Sequence, residues 1–168
     1  PAAAHDVPAP NLLVQTSPAQ ARSALSTALP TPQEDAALVA AIASPSRSEE
    51  DRARDAHRRP LESLTFWGLT PGATVVEIEP GWWDAILQPY AEATGGRYVG
   101  VRRPLEGMGV EDGTADLVLV ARAFHNWRRA GRTDAYLEAF FRALKPGGVL
   151  AVEQHRAPEG TDPDETMT

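Results

Sequence analysis

One stretch constrains this chain more than any other: Ala73-Thr-Val-Val-Glu-Ile-Glu-Pro-Gly-Trp-Trp-Asp-Ala-Ile-Leu-Gln-Pro-Tyr90. It opens on Thr74, Val75, Val76 and Ile78, a β-branched apolar run that suits a strand buried on both faces. At Pro80-Gly81 the period changes, and Trp82, Trp83, Ile86, Leu87 and Tyr90 recur at helical spacing. A strand, a tight glycine turn and a helix open a nucleotide-binding α/β unit. In such a unit the ligand lies beyond the carboxyl end of the strand, against the free N–H groups of the helix start. Glu77 and Glu79 suit a ribose or an amino group better than a phosphate, because no Gly-x-Gly-x-x-Gly follows to cradle a pyrophosphate. The same two acids are equally placed to do no more than cap a strand end at the surface.

The rest of the chain extends the pattern. Residues 1–32 carry Pro8, Pro10, Pro18, Pro30 and Pro32 among small and polar residues, which predicts an extended arm with one short helix over 19–29. Residues 33–168 then form one domain, with N-terminal helices over 33–68 and a sheet core over 73–157. Thr31 is placed to cap a first helix whose apolar face is Ala36, Leu38, Val39 and Ile42. Ser48 caps a second, charged helix over 49–59, with acids in its first turn and bases in its last. Pro60 starts a third, with Leu61, Leu64, Phe66 and Trp67 apolar, ending at Gly68. After the central stretch come strands over 95–101, 115–121 and 149–153. A helix capped by Thr133 precedes the last strand, with Ala135, Tyr136, Leu137, Phe140, Phe141 and Leu144 on its buried side. Strands alternating with helices predict a parallel, doubly wound sheet.

Composition narrows the function. The 168 residues carry a net charge of −7, from 23 acidic and 16 basic groups, and Lys145 is the lone lysine. An acidic chain with no basic run argues against nucleic acid as a partner, and Asp51 and Asp55 interrupt the arginines of the charged helix. Without cysteine there is no disulfide, thiolate nucleophile or thiolate metal site. His5, His57, His125 and His155 are scattered without metal-ligand spacing, so no metal is expected. No apolar run approaches the length of a membrane span. The start, Pro-Ala-Ala-Ala-His-Asp, reads as a mature end left by cleavage of an Ala-rich export signal, which would make the protein periplasmic or exported. It reads equally as the edge of an expressed fragment of a cytoplasmic protein. The proline-rich arm has little reason to pack on its own domain and is open to homo-oligomer formation.

Three segments carry a family likeness: Leu-Thr-Pro-Gly-Ala-Thr-Val-Val-Glu-Ile-Glu-Pro-Gly (69–81), Asp-Gly-Thr-Ala-Asp-Leu-Val-Leu-Val (112–120) and Phe-Phe-Arg-Ala-Leu-Lys-Pro-Gly-Gly-Val-Leu (140–150). In that order they resemble class I S-adenosylmethionine-dependent methyltransferases. Ala43-Ser-Pro-Ser-Arg-Ser, the 51–60 helix, Phe124-His-Asn-Trp127 and Glu153-Gln-His-Arg-Ala157 resemble, more narrowly, a bacterial group of predicted methyltransferases often carrying export signals. The resemblance spans roughly residues 36–157. It implies a Rossmann-like α/β fold, S-adenosylmethionine as cofactor, and methyl transfer to a small-molecule acceptor.

It further implies that Glu77, Glu79, Pro80, Gly81 and Trp82 form the loop around the methionine part of the cofactor. Ala121, Arg122 and Phe124 would lie at the strand end facing the sulfonium. His125, with Asn126, would be the catalytic pair, His125 acting as general base. By their position, Trp127, His155 and Arg156 are placed to line the acceptor pocket and Arg54 and Arg58 to close over it, while His155 and Arg156 are equally placed to pair with Asp162 or Glu159 and the charged helix to be a solvated face. In the plainer alternative His125 and Asn126 cap a turn and Trp127 packs on the sheet edge.

The pattern departs from the family in three places. The first-strand loop has one glycine followed by an indole. The second strand ends in Arg102-Arg103 where a ribose-binding acid is usual. The thirteen residues 102–114 cannot hold the helix, strand and helix that normally intervene. After Glu153 too few residues remain for the usual closing strands, so either a naturally shortened chain or, the favoured expectation, segments missing from the sequence are implied. The departures also support another class of function, a non-catalytic binding or scaffold protein that keeps the fold without the cofactor.

Overall fold

The computed structural model describes residues 35–156 and 158–161. The predicted arm, its helix over 19–29 and the Thr31 cap lie outside the described residues, as do His5 and the end of the tail. Four helices come first: α1 (Ala36–Ile42), α2 (Glu49–Ala53), α3 (Asp55–Arg58) and α4 (Pro60–Phe66). Then follow β1 (Thr74–Ile78), α5 (Asp84–Thr94), β2 (Arg97–Val101), β3 (Ala115–Ala121), α6 (Phe124–Arg129), α7 (Thr133–Ala143) and β4 (Leu144–Glu153). The strands form one fully parallel sheet in the order β2-β1-β3-β4. With helices packed on both faces it is the doubly wound α/β architecture that the alternation of elements predicts.

Alternation along the strands builds the two cores. Val75, Leu117, Leu119 and Ala151 face α1, α4 and α5, where they meet Leu38, Leu64, Ile86, Leu87 and Tyr90. Val76, Ile78, Val118 and Val120 face the other way, onto Trp127, Ala139, Phe140 and Ala143 of α6 and α7. The connection over 102–114 contains no helix and no strand, and it lays Met108 and Val110 against this second core. A short irregular crossover thus covers apolar surface that a helix would otherwise cover.

Local departures from the sequence reading have physical causes. Asp35 caps α1, accepting from the Leu38 N–H at 2.9 Å, while its other oxygen accepts the Tyr90 hydroxyl at 2.7 Å and ties α1 to α5. The charged helix is two short pieces that meet at Arg54, with Ser48 capping the first by accepting from the Asp51 N–H at 3.0 Å. Thr133 is the first residue of α7 and does not cap it. Phe66 and Phe141, read as core residues, are 84% and 81% exposed, because each lies one step off the stripe that faces the sheet.

The Lys145-Pro-Gly-Gly148 segment belongs to β4 at the N-terminal end of the sheet. There Asp116 of β3 pairs with Lys145 and accepts from the Thr74 N–H at 2.7 Å, holding the starts of three strands together. A Cβ on Gly148 would stand 2.8 Å from the Ala115 carbonyl oxygen, so no other residue fits between the strands. Replacing Lys145 by Ala should cost less than about 1 kcal/mol, since the ammonium is half exposed. Asp116→Ala should cost about 1–3 kcal/mol because it strips the Thr74 N–H of its acceptor. Urea unfolding of the two variants checks the order.

Candidate functional site

A cleft of about 360 Å³ opens at the carboxyl ends of β1 and β3. In the order β2-β1-β3-β4 the chain leaves β1 toward β2 on one side and returns to β3 on the other, so this is the topological switch point where such sheets bind ligands. Arg54, Arg58, Glu77, Glu79, Gly81, Trp82, Trp83, Ala121 and Arg122 line it.

Its floor is an acid that the core has swallowed. Glu77 is 1% exposed; its carboxylate accepts from the Gly81 N–H at 3.1 Å and from the Tyr98 hydroxyl at 2.8 Å. Burial pushes its pKa up to about 7 against these hydrogen bonds, which favour the charged form. The same burial, with the carboxylate alongside, drives the Tyr98 hydroxyl well above its usual range. Glu77 therefore anchors the loop that follows β1 instead of reaching toward a ligand.

Two other strand-end residues carry unusual backbone. Glu79 has φ +54° and Arg122 φ +60°, in the left-handed region that favours glycine. Each is pinned across the sheet by its own N–H, Glu79 to the Val101 carbonyl at 2.8 Å and Arg122 to the Glu153 carbonyl at 2.8 Å. Both side chains are exposed along the cleft. Strain of this kind gathers at functional sites.

The wall is aromatic and cationic. Trp83 is buried, its ring edge-on to Trp67 and Trp82 at 4.9 and 4.7 Å, and its indole N–H donates to the Glu153 carboxylate at 2.7 Å. Trp82 donates to the Asp51 carbonyl at 3.0 Å, fastening α2 over the loop. Two guanidiniums lie over the Trp82 ring, Arg47 at 5.0 Å and Arg58 at 4.7 Å. Sequence reasoning passed over Arg47. Its side chain has no exposed surface, makes two hydrogen bonds to Asp55 at 2.9 and 2.6 Å, and donates to the Ile42 carbonyl at 2.7 Å. In the sequence it stands within Ala43-Ser-Pro-Ser-Arg-Ser, a segment that carries the resemblance but assigns Arg47 no role.

The residues implied by the resemblance divide into two groups. Glu77, Glu79, Gly81, Trp82, Ala121, Arg122, Arg54 and Arg58 meet in the cleft, with Pro80 between two of them. Phe124, His125, Asn126 and Trp127 lie in α6 and are not among the lining residues. Trp127 stacks on Tyr136 at 4.3 Å and is 6% exposed, which makes it a core residue and not a pocket wall. His155 and Arg156 are exposed beyond the end of β4 and do not line the cleft. His125 Nδ1 and Gln154 Nε2 are 3.1 Å apart. With the amide nitrogen donating, the ring proton sits on Nε2; turning the amide makes Nδ1 the donor and frees Nε2 to accept a proton. That turn would also give a partner to the buried Gln154 Oε1. Among the described residues no three histidine or acidic groups gather as a metal site, and no helix is long and apolar enough to cross a membrane.

With this geometry in view, comparison with known proteins points one way. Residues 74–152 match the family model of a methyltransferase domain. The match covers just under half of the chain, runs from the start of β1 almost to the end of β4, and supports methyl transfer as the general chemistry of this segment. No curated protein matches the chain. Three solved structures overlap it loosely. A SAM-dependent methyltransferase from Aquifex aeolicus is 19% identical, with a TM-score of 0.49, over 70% of this chain and 79% of that one. The complex of the Haloferax volcanii Trm112 methyltransferase activator is 17% identical, with a TM-score of 0.41, over 70% and 59%. The trans-methyltransferase CalH with SAH is 17% identical, with a TM-score of 0.36, over 61% and 38%. The chain thus spans less than two thirds of the last two, and overlap this loose transfers neither a site nor an activity.

Two measurements test this account of the cleft. Between pH 4.5 and about 7 the folded chain holds a Glu77 proton that the unfolded chain releases. The contribution of Glu77 to stability is complete below that window and lost as pH rises through it, by on the order of 3 kcal/mol at most. Urea unfolding across this range should show the decline in the wild type and a flatter curve in Glu77→Gln; parallel curves would refute it. Asp55→Ala should destabilise by about 3 kcal/mol, because it leaves the guanidinium of Arg47 buried without its acid.

Proposed function

We propose that the chain is an S-adenosylmethionine-dependent methyltransferase acting on a small-molecule acceptor. The observation that carries this reading is Gly81. It lines the cleft within the segment that matches the methyltransferase domain, yet its backbone is not left-handed and a Cβ there would meet nothing closer than the Glu79 carbonyl oxygen at 3.9 Å. Nothing in the chain itself demands a glycine, which leaves a ligand's approach to the backbone as the reason for one.

The residues fit the amino-acid half of the cofactor. Glu79 offers a carboxylate without a hydrogen-bonded or ion-paired partner among the described residues, suited to an ammonium, and Ala121 brings strand-end backbone to the same cleft. The adenosine half is less well provided: at the end of β2 stand Arg102 and Arg103, and Glu106 in that neighbouring cleft is paired with Arg103 at 3.4 Å. Bound here, the cofactor would supply a methyl group already activated on a positively charged sulfur. The chain's part is to position and desolvate the reacting groups, with little covalent help. His125 lies outside the lining of the cleft; to serve as base it would take the acceptor's proton on Nε2, with the Gln154 amide turned so that Nδ1 is the donor.

A second reading, a binding or scaffold protein without the cofactor, draws support from the bulk at the loop: Glu79 occupies a left-handed position that suits glycine, and two indoles follow Gly81 directly. One titration separates the two. Calorimetry with S-adenosylhomocysteine should give micromolar affinity in the wild type. Gly81→Val should lose that affinity more than tenfold with an unchanged melting temperature. A trace that stays flat to millimolar ligand overturns the enzyme and leaves the scaffold.

A further inference from the structure

Three guanidiniums line one wall of the cleft, and two of them have nothing to neutralise them at contact distance. Arg54 is paired with Glu50 on its own helix. Arg58 and Arg122 make no ion pair and no side-chain hydrogen bond among the described residues. Arg58 is half-buried, and its guanidinium carbon lies over the Trp82 ring at 4.7 Å from the centroid, a contact that positions the cation without neutralising it. The position of Arg122 is set by a strained left-handed backbone and by its N–H bond to Glu153.

The two cations also disfavour each other. Burial lowers the pKa of Arg58; Glu153 raises it again, and Arg122 and Arg54 lower it further. Glu153 acts on Arg58 without an ion pair, one of its carboxylate oxygens accepting the Trp83 indole N–H at 2.7 Å, and Glu77 is committed to Gly81 and Tyr98. A half-buried arginine that faces a second arginine, neither in ion-pair contact with Glu79, the one cleft acid left unpartnered among the described residues, is an arrangement that an anion completes.

We propose that Arg58 and Arg122 form an anion-binding site in this cleft, which takes a carboxylate or phosphoryl group of a small-molecule ligand. The site stands whether or not the chain transfers methyl groups. If it does, the anion belongs either to the acceptor or to the amino-acid end of the cofactor.

The test follows intrinsic tryptophan fluorescence and heat on titrating the intact chain with inorganic phosphate at constant ionic strength, with chloride as control. Wild type should saturate in the millimolar range. Arg122→Gly should weaken phosphate at least tenfold while melting at the same temperature or higher, since glycine relaxes the left-handed backbone. Arg58→Met, which keeps the contact with Trp82 without the charge, should weaken it to a similar degree. Equal phosphate binding in wild type and both variants, or no saturation in the wild type, overturns the proposal.

Repeating the titration with S-adenosylhomocysteine and with 5′-methylthioadenosine, which lacks the amino-acid end, identifies the source. Loss confined to S-adenosylhomocysteine in the variants assigns the site to the cofactor's carboxylate. Unchanged affinity for both, with phosphate binding lost, assigns it to the acceptor. Saturable phosphate with no binding of either nucleoside retains the anion site and rejects the methyltransferase reading.

Discussion

The site depends on a carboxylic acid placed where an apolar side chain would pack more cheaply. Glu77 sits in the middle strand pair, between Val76 and Ile78, with almost no exposed surface. Taking a carboxylate out of water is costly, and two hydrogen bonds return only part of that cost. What the arrangement gains is definition. The Gly81 N–H and the Tyr98 hydroxyl converge on one carboxylate, so the loop after β1 is tied to both its own strand and its neighbour β2. The rise of the Glu77 pKa toward neutrality records the same compromise, because a group this buried lowers its cost by holding its proton longer.

Outward from that acid, each layer rests on the one below. The fixed loop presents Trp82 and Trp83 as perpendicular plates; Trp83 reaches across to Glu153 at the end of β4, and Trp82 supports the helices that precede the sheet. Those helices are short and largely polar, and they bury no residue of their own between 49 and 58. Their attachment is instead electrostatic and local, through Arg47 with Asp55 and the stacking of Arg47 and Arg58 on Trp82. A segment held this way is specific in geometry and modest in stability, which suits the wall of a cleft that must admit a ligand.

Sequence legibility followed the same gradient. The strands could be read because runs such as Ala115-Asp-Leu-Val-Leu-Val-Ala121 satisfy both faces of a buried sheet, and a period-2 assignment of faces needs no tertiary knowledge. Gly81 and the two acids could be read because the strand-turn-helix pattern fixes where a ligand must lie. Arg47 could not, since its burial depends on Asp55, Ile42 and Trp82 meeting in space. Nor could the exposure of Phe66 and Phe141, where helical spacing admits a wide stripe and only the neighbouring strand decides its edge. Trp127 misled for a related reason: it follows a site-forming strand, but α6 turns it back onto Tyr136 and Phe140.

The two ends of the sheet answer different questions. At the N-terminal end, Asp116, Lys145 and Gly148 lock three strands together, and the Lys-Pro-Gly-Gly segment does its work there. At the carboxyl end, the loop over 79–83 and the strand terminus at Arg122 carry side chains that line the cleft. Because the lock lies at the far end of the strands from the cleft, residues can change at one end with little effect on the other. A match over 74–152 therefore speaks most strongly for the scaffold, and the choice of ligand rests with the residues that line the cleft.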